Sequence, residues 1–515
     1  MSFGSIFSRV LGILYIIAWL AMFNTPQQQY TAQALYNAAY TPYGLFLALG
    51  TSGFPTAISR KIALYNSQNR YLDSKRLFKA GITFMSLSGL ICGVVFFIAA
   101  PVIAKNSPVM SQADATFVLR SLVPALIVLP TMSIIRGWFQ GHQDMKPFGV
   151  SQLIEQFIRV IAILVFTFVS FNLLKGSLTL AVALSTFAAF LGALGSLGYL
   201  GKYYRAHLSE YRTQEAGSLP ASQIDIKGLF LEIVKEAIPF VFVGAGVTIN
   251  QIIDQLSFKH LMLWASGYDM NYIQNMFTFF SANPTKITTI VISLATALSD
   301  TSLPILAGLV GNRSKIAQTL GDNFKLMLTL LVPFVAVLTL LSQEINTIFF
   351  GYNLEAGKLM AASLMLSLIL SFFLDISVLI QALGKHRLAV VLLSLSLLVK
   401  IILQAPLIWL FHEYGAILAT ALAFAVSLIL GLWYLNRTYL VDRTENKTWL
   451  NVSLGIGFYV LGLFLLAKPL ALLDFGTGKV AALITCALTG IVVGGYYLII
   501  AYIFKFKDLL KAMNR

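Results

Sequence analysis

Residues 149–172 read GVSQLIEQFIRVIAILVFTFVSFN, an apolar stretch with a single polar stripe cut into it. At about 1.5 Å per residue such a helix is ~36 Å long, enough to cross the ~30 Å hydrocarbon layer of a bilayer. Gln152, Glu155, Gln156 and Arg159 fall at i, i+3, i+4 and i+7, which is one helical face. A charge facing lipid at mid-bilayer costs roughly 2.5–3.5 kcal/mol, so this face must look into a polar chamber or onto partner helices. One such helix cannot hide its own stripe, and the fold follows from how many similar spans surround it.

The same length rule finds fourteen spans: 3–23, 36–60, 77–104, 116–140, 149–172, 177–200, 229–257, 278–300, 325–350, 357–383, 388–411, 415–436, 450–472 and 478–505. The second and eighth contain breaks, Gly53-Phe54-Pro55 and Asn283-Pro284, tolerated in a membrane where neighbours or a water-filled cavity satisfy the freed backbone. Composition agrees: 58% of the 515 residues are hydrophobic and 11% charged, with a mean hydropathy of +0.80. Soluble domains run nearer half and a quarter, and disordered chains are far more polar. The expectation is an all-α polytopic membrane protein.

The net charge of +15 would by itself suit a nucleic-acid binder, but its placement argues otherwise. With the N-terminus taken as cytoplasmic, the inside loops and tail hold 23 Lys and Arg and the outside loops 6. That asymmetry is a topology signal and places both termini in the cytoplasm. The first span carries Arg9 midway and has no small-residue cleavage site, so it reads as a span and not as a signal peptide. Cys92 and Cys486 imply no disulfide framework, and the five scattered histidines form no metal-ligand pair. No P-loop, Gly-x-Gly-x-x-Gly, His-Glu-x-x-His or Gly-x-Ser-x-Gly motif is present, which argues for a transporter and against an enzyme or ATP-driven pump. No cofactor is expected; energy would come from a coupling ion (Na+ or H+), the membrane potential or substrate supply.

The chain repeats itself. Thr56-Ala57-Ile58-Ser59-Arg60 recurs as Thr296-Ala297-Leu298-Ser299-Asp300, an offset of 240, while Gln140 falls on Gln381 and Arg159 on Lys400 at 241. Six spans separate the copies, so two six-helix lobes of like orientation are expected, related by a pseudo-two-fold along the membrane normal. The N-lobe is assigned to 1–205, a cytoplasmic linker to 206–228, the C-lobe to 229–437, the two added spans to 450–505 and a cytoplasmic tail to 506–515.

Deep charges mark the candidate site: Arg9, Arg136, Arg159, Lys286 and Lys400 against Glu155, Asp254 and Asp375. Asn250, Gln251, Asp254 and Gln255 put a second polar stripe on the seventh span. Glu155–Arg159 reads equally as a structural ion pair or as a ligand contact, and Asp375–Lys400 as a pair between hairpin neighbours. Arg136 reads equally as a cytoplasmic positive-inside residue. With both pairs made, Arg9, Arg136 and Lys286 answer only Asp254, and a cationic chamber of that kind invites an anion, phosphate in particular. Gly192, Gly195 and Gly198 read as close helix packing.

Phe7-Ser8-Arg9-Val10-Leu11-Gly12, Gly50-Thr-Ser-Gly-Phe-Pro-Thr-Ala-Ile-Ser59 and Arg136-Gly-Trp-Phe-Gln-Gly141 leading into Ser151-Gln-Leu-Ile-Glu-Gln-Phe-Ile-Arg-Val160 resemble the MurJ/YtgP/SpoVB branch of the MOP exporter superfamily. The resemblance covers essentially the whole chain. It implies a MATE-like fold and a bacterial cytoplasmic-membrane flippase for lipid II, the undecaprenyl-pyrophosphate-linked peptidoglycan precursor, moving it from the inner to the outer leaflet by alternating access. It also implies a V-shaped cavity between lobes, a cationic diphosphate site in the N-lobe and a groove for the lipid tail beside spans 13 and 14. Arg9 falls on the family's span-1 arginine, and Lys286 is matched by location. Where some members carry a second span-1 arginine and paired span-2 arginines, this chain has Tyr15 and the Phe46 region, which suits the YtgP/SpoVB-like side of the branch. Arg9 and Lys286 are expected to hold the diphosphate, with Arg136 and Arg159 beside them. Gln152, Glu155, Gln156, Asn250, Gln251, Asp254 and Gln255 would line or gate the cavity. A monomer working near cell-wall synthases is expected, with no nucleic-acid partner. The runner-up substrate is another polyprenyl-diphosphate oligosaccharide of capsule or teichoic type. A cation-coupled drug exporter fits less well, because its site favours acids and aromatics.

Overall fold

The computed structural model describes residues 12, 14–51, 54–220, 228, 238–239, 241–309, 312–439, 446–471, 475–504 and 506, and among them every regular element is helical. After a helical stretch over 14–21 come α1 (Pro26–Thr51), α2 (Phe54–Ser67), α3 (Tyr71–Asn106), α4 (Gln112–Ser121), α5 (Val123–Gly141), α6 (Lys146–Thr167), α7 (Leu178–Ala206) and α8 (Leu208–Ala216). These are followed by α9 (Gly246–Ser266), α10 (Met270–Phe277), α11 (Asn283–Gly308), α12 (Arg313–Leu340), α13 (Ser342–Phe350), α14 (Leu354–Ala382), α15 (His386–Phe411), α16 (Glu413–Tyr439), α17 (Asn446–Ala471) and α18 (Lys479–Ile503). Short polar side chains start many of them. Ser111, Ser177, Asp269, Asn312 and Asn353 each accept a hydrogen bond from a first-turn backbone N–H.

Ten helices among the described residues are long and apolar enough to cross a membrane. The other four of the fourteen expected spans are 3–23, 36–60, 229–257 and 278–300. Most of the first, and much of the seventh, lies outside the described residues. The second and eighth are interrupted where the sequence places breaks. α1 and α2 lie on either side of residues 52–53, with Pro55 in the first turn of α2, and a π-type turn at Thr278–Ala282 precedes α11.

Intramembrane prolines explain several helix contacts. A proline has no N–H for the carbonyl four residues back, so that oxygen needs another donor. Three are supplied by side chains of other helices. Gln255 Nε2 donates to Ala38 O, freed by Pro42, at 2.9 Å. Ser363 Oγ donates to Phe280 O, freed by Pro284, at 3.1 Å. Tyr497 Oη donates to Thr329 O, freed by Pro333, at 2.7 Å.

The chain divides into two compact units, Met1–Lys259 and His260–Arg515. In the first, α6 packs along α7 and α5 against α2 and α3. Glycine makes these approaches possible: a Cβ on Gly192 would lie 2.6 Å from Glu155 O, and one on Gly141 3.0 Å from Ser59 O. Gly195 likewise faces Ile158, whereas Gly198 faces open space and contributes no such contact. The beginning of α9 belongs to this unit too, held by Gln255 on Ala38 O and Ser107 Oγ and by Lys259 Nζ on Lys105 O.

In the second unit α14 is central, packed against α11, α12 and α16, and α15 pairs with α16. α17 and α18 join through a core of Val452, Tyr459, Leu463, Val493 and Ile500 set against Leu328, Val337 and Leu340 of α12.

Candidate functional site

The polar stripe on α6 meets α5 and α7 in the first unit. Arg136, from α5, donates from Nε to Ser151 Oγ at 2.9 Å and from Nη2 to Glu155 Oε2 at 2.9 Å and Ser196 Oγ at 3.0 Å. These three acceptors lie on α6 and α7, which the Gly192 contact brings close enough for one guanidinium to span. The side chains of Arg136 and Glu155 are only 11% and 15% exposed. A charge-assisted pair this shielded holds its geometry far better than a surface pair.

The sequence leaves Glu155–Arg159 open as an intrahelical pair, and the structure orders the partners differently. Arg159 Nη1 lies 4.0 Å from Glu155 Oε1, beyond hydrogen-bond length, while Arg136 holds the other carboxylate oxygen. Arg159 instead donates to Gln156 Oε1. Gln156 is itself buried, and the Gly12 backbone of the first span runs against it, a Cβ there falling 2.9 Å from Gln156 Nε2. Gln152 is half-buried on the same helix. Arg9 lies outside the described residues.

A group of tyrosines that sequence reasoning passed over completes this region. Tyr36, Tyr40 and Tyr43 recur at i, i+4 and i+7 on α1. Tyr36 stacks on Tyr40 with centroids 4.3 Å apart, and its hydroxyl is 2.9 Å from that of Tyr15. The Tyr43 hydroxyl is buried and makes no hydrogen bond among the described residues. The helical spacing of the three was the signal available in the sequence. Ser151 and Ser196 carried none.

The seventh-span stripe serves partly for packing. Gln255 is committed to Ala38 O and Ser107 Oγ, while Asn250 and Asp254 are buried and Gln251 half-buried. In the second unit Lys286 sits half-buried in the first turn of α11, next to a buried Asn283 whose amide atoms make no hydrogen bond among the described residues.

The expected Asp375–Lys400 pair is not formed. The fully buried Asp375 carboxylate accepts from Ser299 Oγ at 2.5 Å and from Asn323 Nδ2 at 3.0 and 2.9 Å, and Asn323 Oδ1 in turn accepts from Ser302 at 2.8 Å. Lys400 points to α16, onto Thr420 Oγ1 and Ala416 O. The physical reason lies in the packing: α14 buries the Asp375 face against α11 and α12, and α15 pairs with α16. Among the described residues no three His, Cys, Asp or Glu side chains converge as metal ligands would.

At the end of the fourth span, Trp138 clusters with His142 and Tyr211, which lie beyond it. The His142 ring lies 4.1 Å from that of Trp138 and 5.1 Å from that of Tyr211, with Nδ1 3.0 Å from Trp138 O. Burial pushes the His142 pKa below the ordinary histidine value, against smaller opposing effects of the Trp138 carbonyl, Glu210 and Asp144.

A family model described as polysaccharide biosynthesis protein matches residues 8–310. The lipid II flippase MurJ of Bacillus subtilis (strain 168) is 31% identical over 524 residues, covering 98% of this chain and 94% of that protein. A solved lipid II flippase MurJ in an inward closed conformation superposes with a TM-score of 0.67 at 19% identity, over 99% of both chains. An inward-facing multidrug resistance MATE transporter of the MOP superfamily superposes at 0.62 and 14% identity, over 85% of this chain and 96% of that one.

Proposed function

Since the chain belongs to the polysaccharide biosynthesis protein family, in the MurJ-type branch of the MOP superfamily, we propose that it is a lipid II flippase serving peptidoglycan synthesis. It is a multi-pass membrane transporter, not an enzyme. The observation that carries the substrate is the 31% identity to the Bacillus subtilis flippase along nearly all of both chains.

The chemistry of the deep charges supports this reading. A diphosphate crossing the bilayer needs cations sheltered from lipid, and Arg9 and Lys286 are our candidates to hold it, with the α6 stripe and Asn250, Gln251 and Asp254 lining its route. The undecaprenyl tail would stay in lipid beside α17 and α18 while the sugar-peptide head crosses through water. The six-helix lobes, cytoplasmic termini, action as a monomer near cell-wall synthases and drive by Na+, H+ or the membrane potential belong to the same proposal.

A second reading, flipping of another polyprenyl-diphosphate oligosaccharide, is favoured by the polysaccharide description of the family. One experiment tests both. Lipid II translocation is followed in cells depleted of their own flippase and supplied with this chain or its Arg9→Ala variant. Restored translocation by the parent, lost in the variant at equal membrane levels, is the expected result. Failure of a folded, inserted parent would transfer the assignment to the second reading.

A further inference from the structure

Asp375 is fully buried, and among the described residues its hydrogen-bond partners are neutral: Ser299 of α11 and Asn323 of α12. The charged groups on the elements packed around α14 are engaged elsewhere or sit at other depths. Asp322 and Lys325 lie either side of Asn323 and pair with each other at 3.2 Å. Lys400 of α15 is held by Thr420 and Ala416, and Arg437 of α16 lies over the Trp433 ring. Asp300 follows Ser299 on α11, and His386 and Arg387 open α15 past the end of α14. Glu344 of α13, Lys286 at the start of α11 and Glu413 at the start of α16 belong to the opposite ends of these helices. A carboxylate enclosed by neutral groups alone bears a desolvation cost that a proton removes. At the repeat offset of 241, Asp375 falls on Ile134, which is also fully buried, so packing at this depth does not require an acid.

The cluster holds a complete set of hydrogen bonds for either charge state. Ser299 Oγ has one hydrogen and two acceptors in range, Asp375 Oδ1 at 2.5 Å and Ala295 O at 3.1 Å. When Asp375 is ionised, that hydrogen points to Oδ1 and Asn323 Nδ2 serves both carboxylate oxygens. When Oδ1 carries a proton, it donates to Ser299 Oγ, whose own hydrogen turns to Ala295 O, while Asn323 still donates to Oδ2. Ser302 engages the other end of the Asn323 amide at 2.8 Å in both states. One proton is gained or lost by rotating one hydroxyl, with every heavy atom in place.

We propose that Asp375 is a proton-binding site, taking up one proton and releasing it to water in each transport cycle, so that H+ is the ion coupled to transport. An ionisable side chain inside the membrane is costly, and a proton relay is one of the uses that retain it. At ~1.5 Å per residue the carboxyl lies about 10 Å from the Ala382 end of α14, the end that the lysine and arginine count assigns to the cytoplasm. That end is the shorter route to water. The inference deepens the flippase reading by naming its ion, and rests on that reading only for what is transported.

The test uses the purified full chain, with thermal unfolding to confirm that each variant is folded. Infrared pH-difference spectra of the parent should show the C=O band of a buried carboxylic acid, lost in Asp375→Asn. Ser299→Ala takes a charge-assisted bond from the anion and a weaker one from the acid, so the pH at which that band disappears should rise by about half a unit or more. In proteoliposomes with the membrane potential clamped at zero, an imposed pH gradient should speed lipid II translocation by the parent a few-fold and leave that of folded Asp375→Asn unmoved. Where Asp375→Asn does not fold, the Ser299→Ala shift decides. A band absent from the parent, a band that persists in Asp375→Asn, an unmoved Ser299→Ala, or a folded Asp375→Asn that follows the gradient as the parent does overturns the proposal. A parent that moves lipid II without regard to the gradient also overturns it, and leaves the flippase reading standing. A parent that moves another polyprenyl-diphosphate glycolipid and not lipid II, with the gradient response lost in Asp375→Asn, sustains the proton site and removes the lipid II reading.

Discussion

Tyr497, on α18, donates its hydroxyl at 2.7 Å to the carbonyl of Thr329, the oxygen that Pro333 leaves without its helical donor. This bond fastens one of the two added C-terminal helices to α12. Tyr497→Phe strips the cap from a carbonyl inside the membrane, and side-chain bonds between membrane helices are worth about 1 kcal/mol. Unfolding in detergent should therefore show a loss of about 1 kcal/mol. Adding Pro333→Ala restores the N–H, so the double variant should no longer register the loss of the hydroxyl. Additive effects of the two substitutions would show that the hydroxyl does something else.

Asp375 should behave as a group hydrogen-bonded to neutral donors and not as half of an ion pair. Its donors are Ser299 and Asn323, while Lys400 is engaged by Thr420 and Ala416. Asp375→Ala abandons two buried donors and should cost about 2–5 kcal/mol, with Asp375→Asn costing less because an amide can still answer both. In a double-mutant cycle of Asp375→Asn with Lys400→Met, the coupling should stay within about 0.5 kcal/mol. A coupling of several kcal/mol would restore the ion pair.

Gly192 decides whether α6 and α7 can touch. A Cβ there would sit 2.6 Å from Glu155 O and 3.1 Å from Arg159 Cβ. Backbone cannot rotate away as a flexible side chain can, so Gly192→Val should cost about 1–3 kcal/mol or more and pull Ser196 from Arg136. Gly198→Ala, which faces open space, is the matched control and should be silent in the same unfolding assay. Equal effects at the two positions would remove the argument for close packing.

Periodicity made much of this architecture legible, and partner choice much less so. The stripe from Gln152 to Arg159 announced a shielded polar face because its residues share one side of a helix. Pro55 and Pro284 announced interruptions because proline cannot complete a helix ladder. Which cation takes Glu155 could not be read, since Arg159 one turn away and Arg136 on another helix are chemically alike. The choice is made by packing: Gly192 lets α7 approach α6, and Arg136 of α5 spans the two. Asp375 was misassigned for a similar reason: adjacency of two spans in sequence says nothing about which face of α14 turns toward α15. The tyrosines of α1 had a readable spacing, but only packing shows that the Tyr36 hydroxyl meets that of Tyr15 on the first span.

His142 gives the pH dependence a definite sign. Burial against Trp138 and Tyr211 holds its folded-state pKa below the ordinary value of about 6.5 that it has when unfolded. As pH falls through the unfolded value, the unfolded chain takes up a proton that the folded chain refuses, so stability drops until the folded pKa is passed. Above the unfolded value the ring is neutral in both states and its contribution is fully present. His142→Phe should keep the aromatic packing and flatten this acid-side decline in melting temperature, leaving values above neutrality nearly unchanged. A decline that persists undiminished in the variant would assign it to another group.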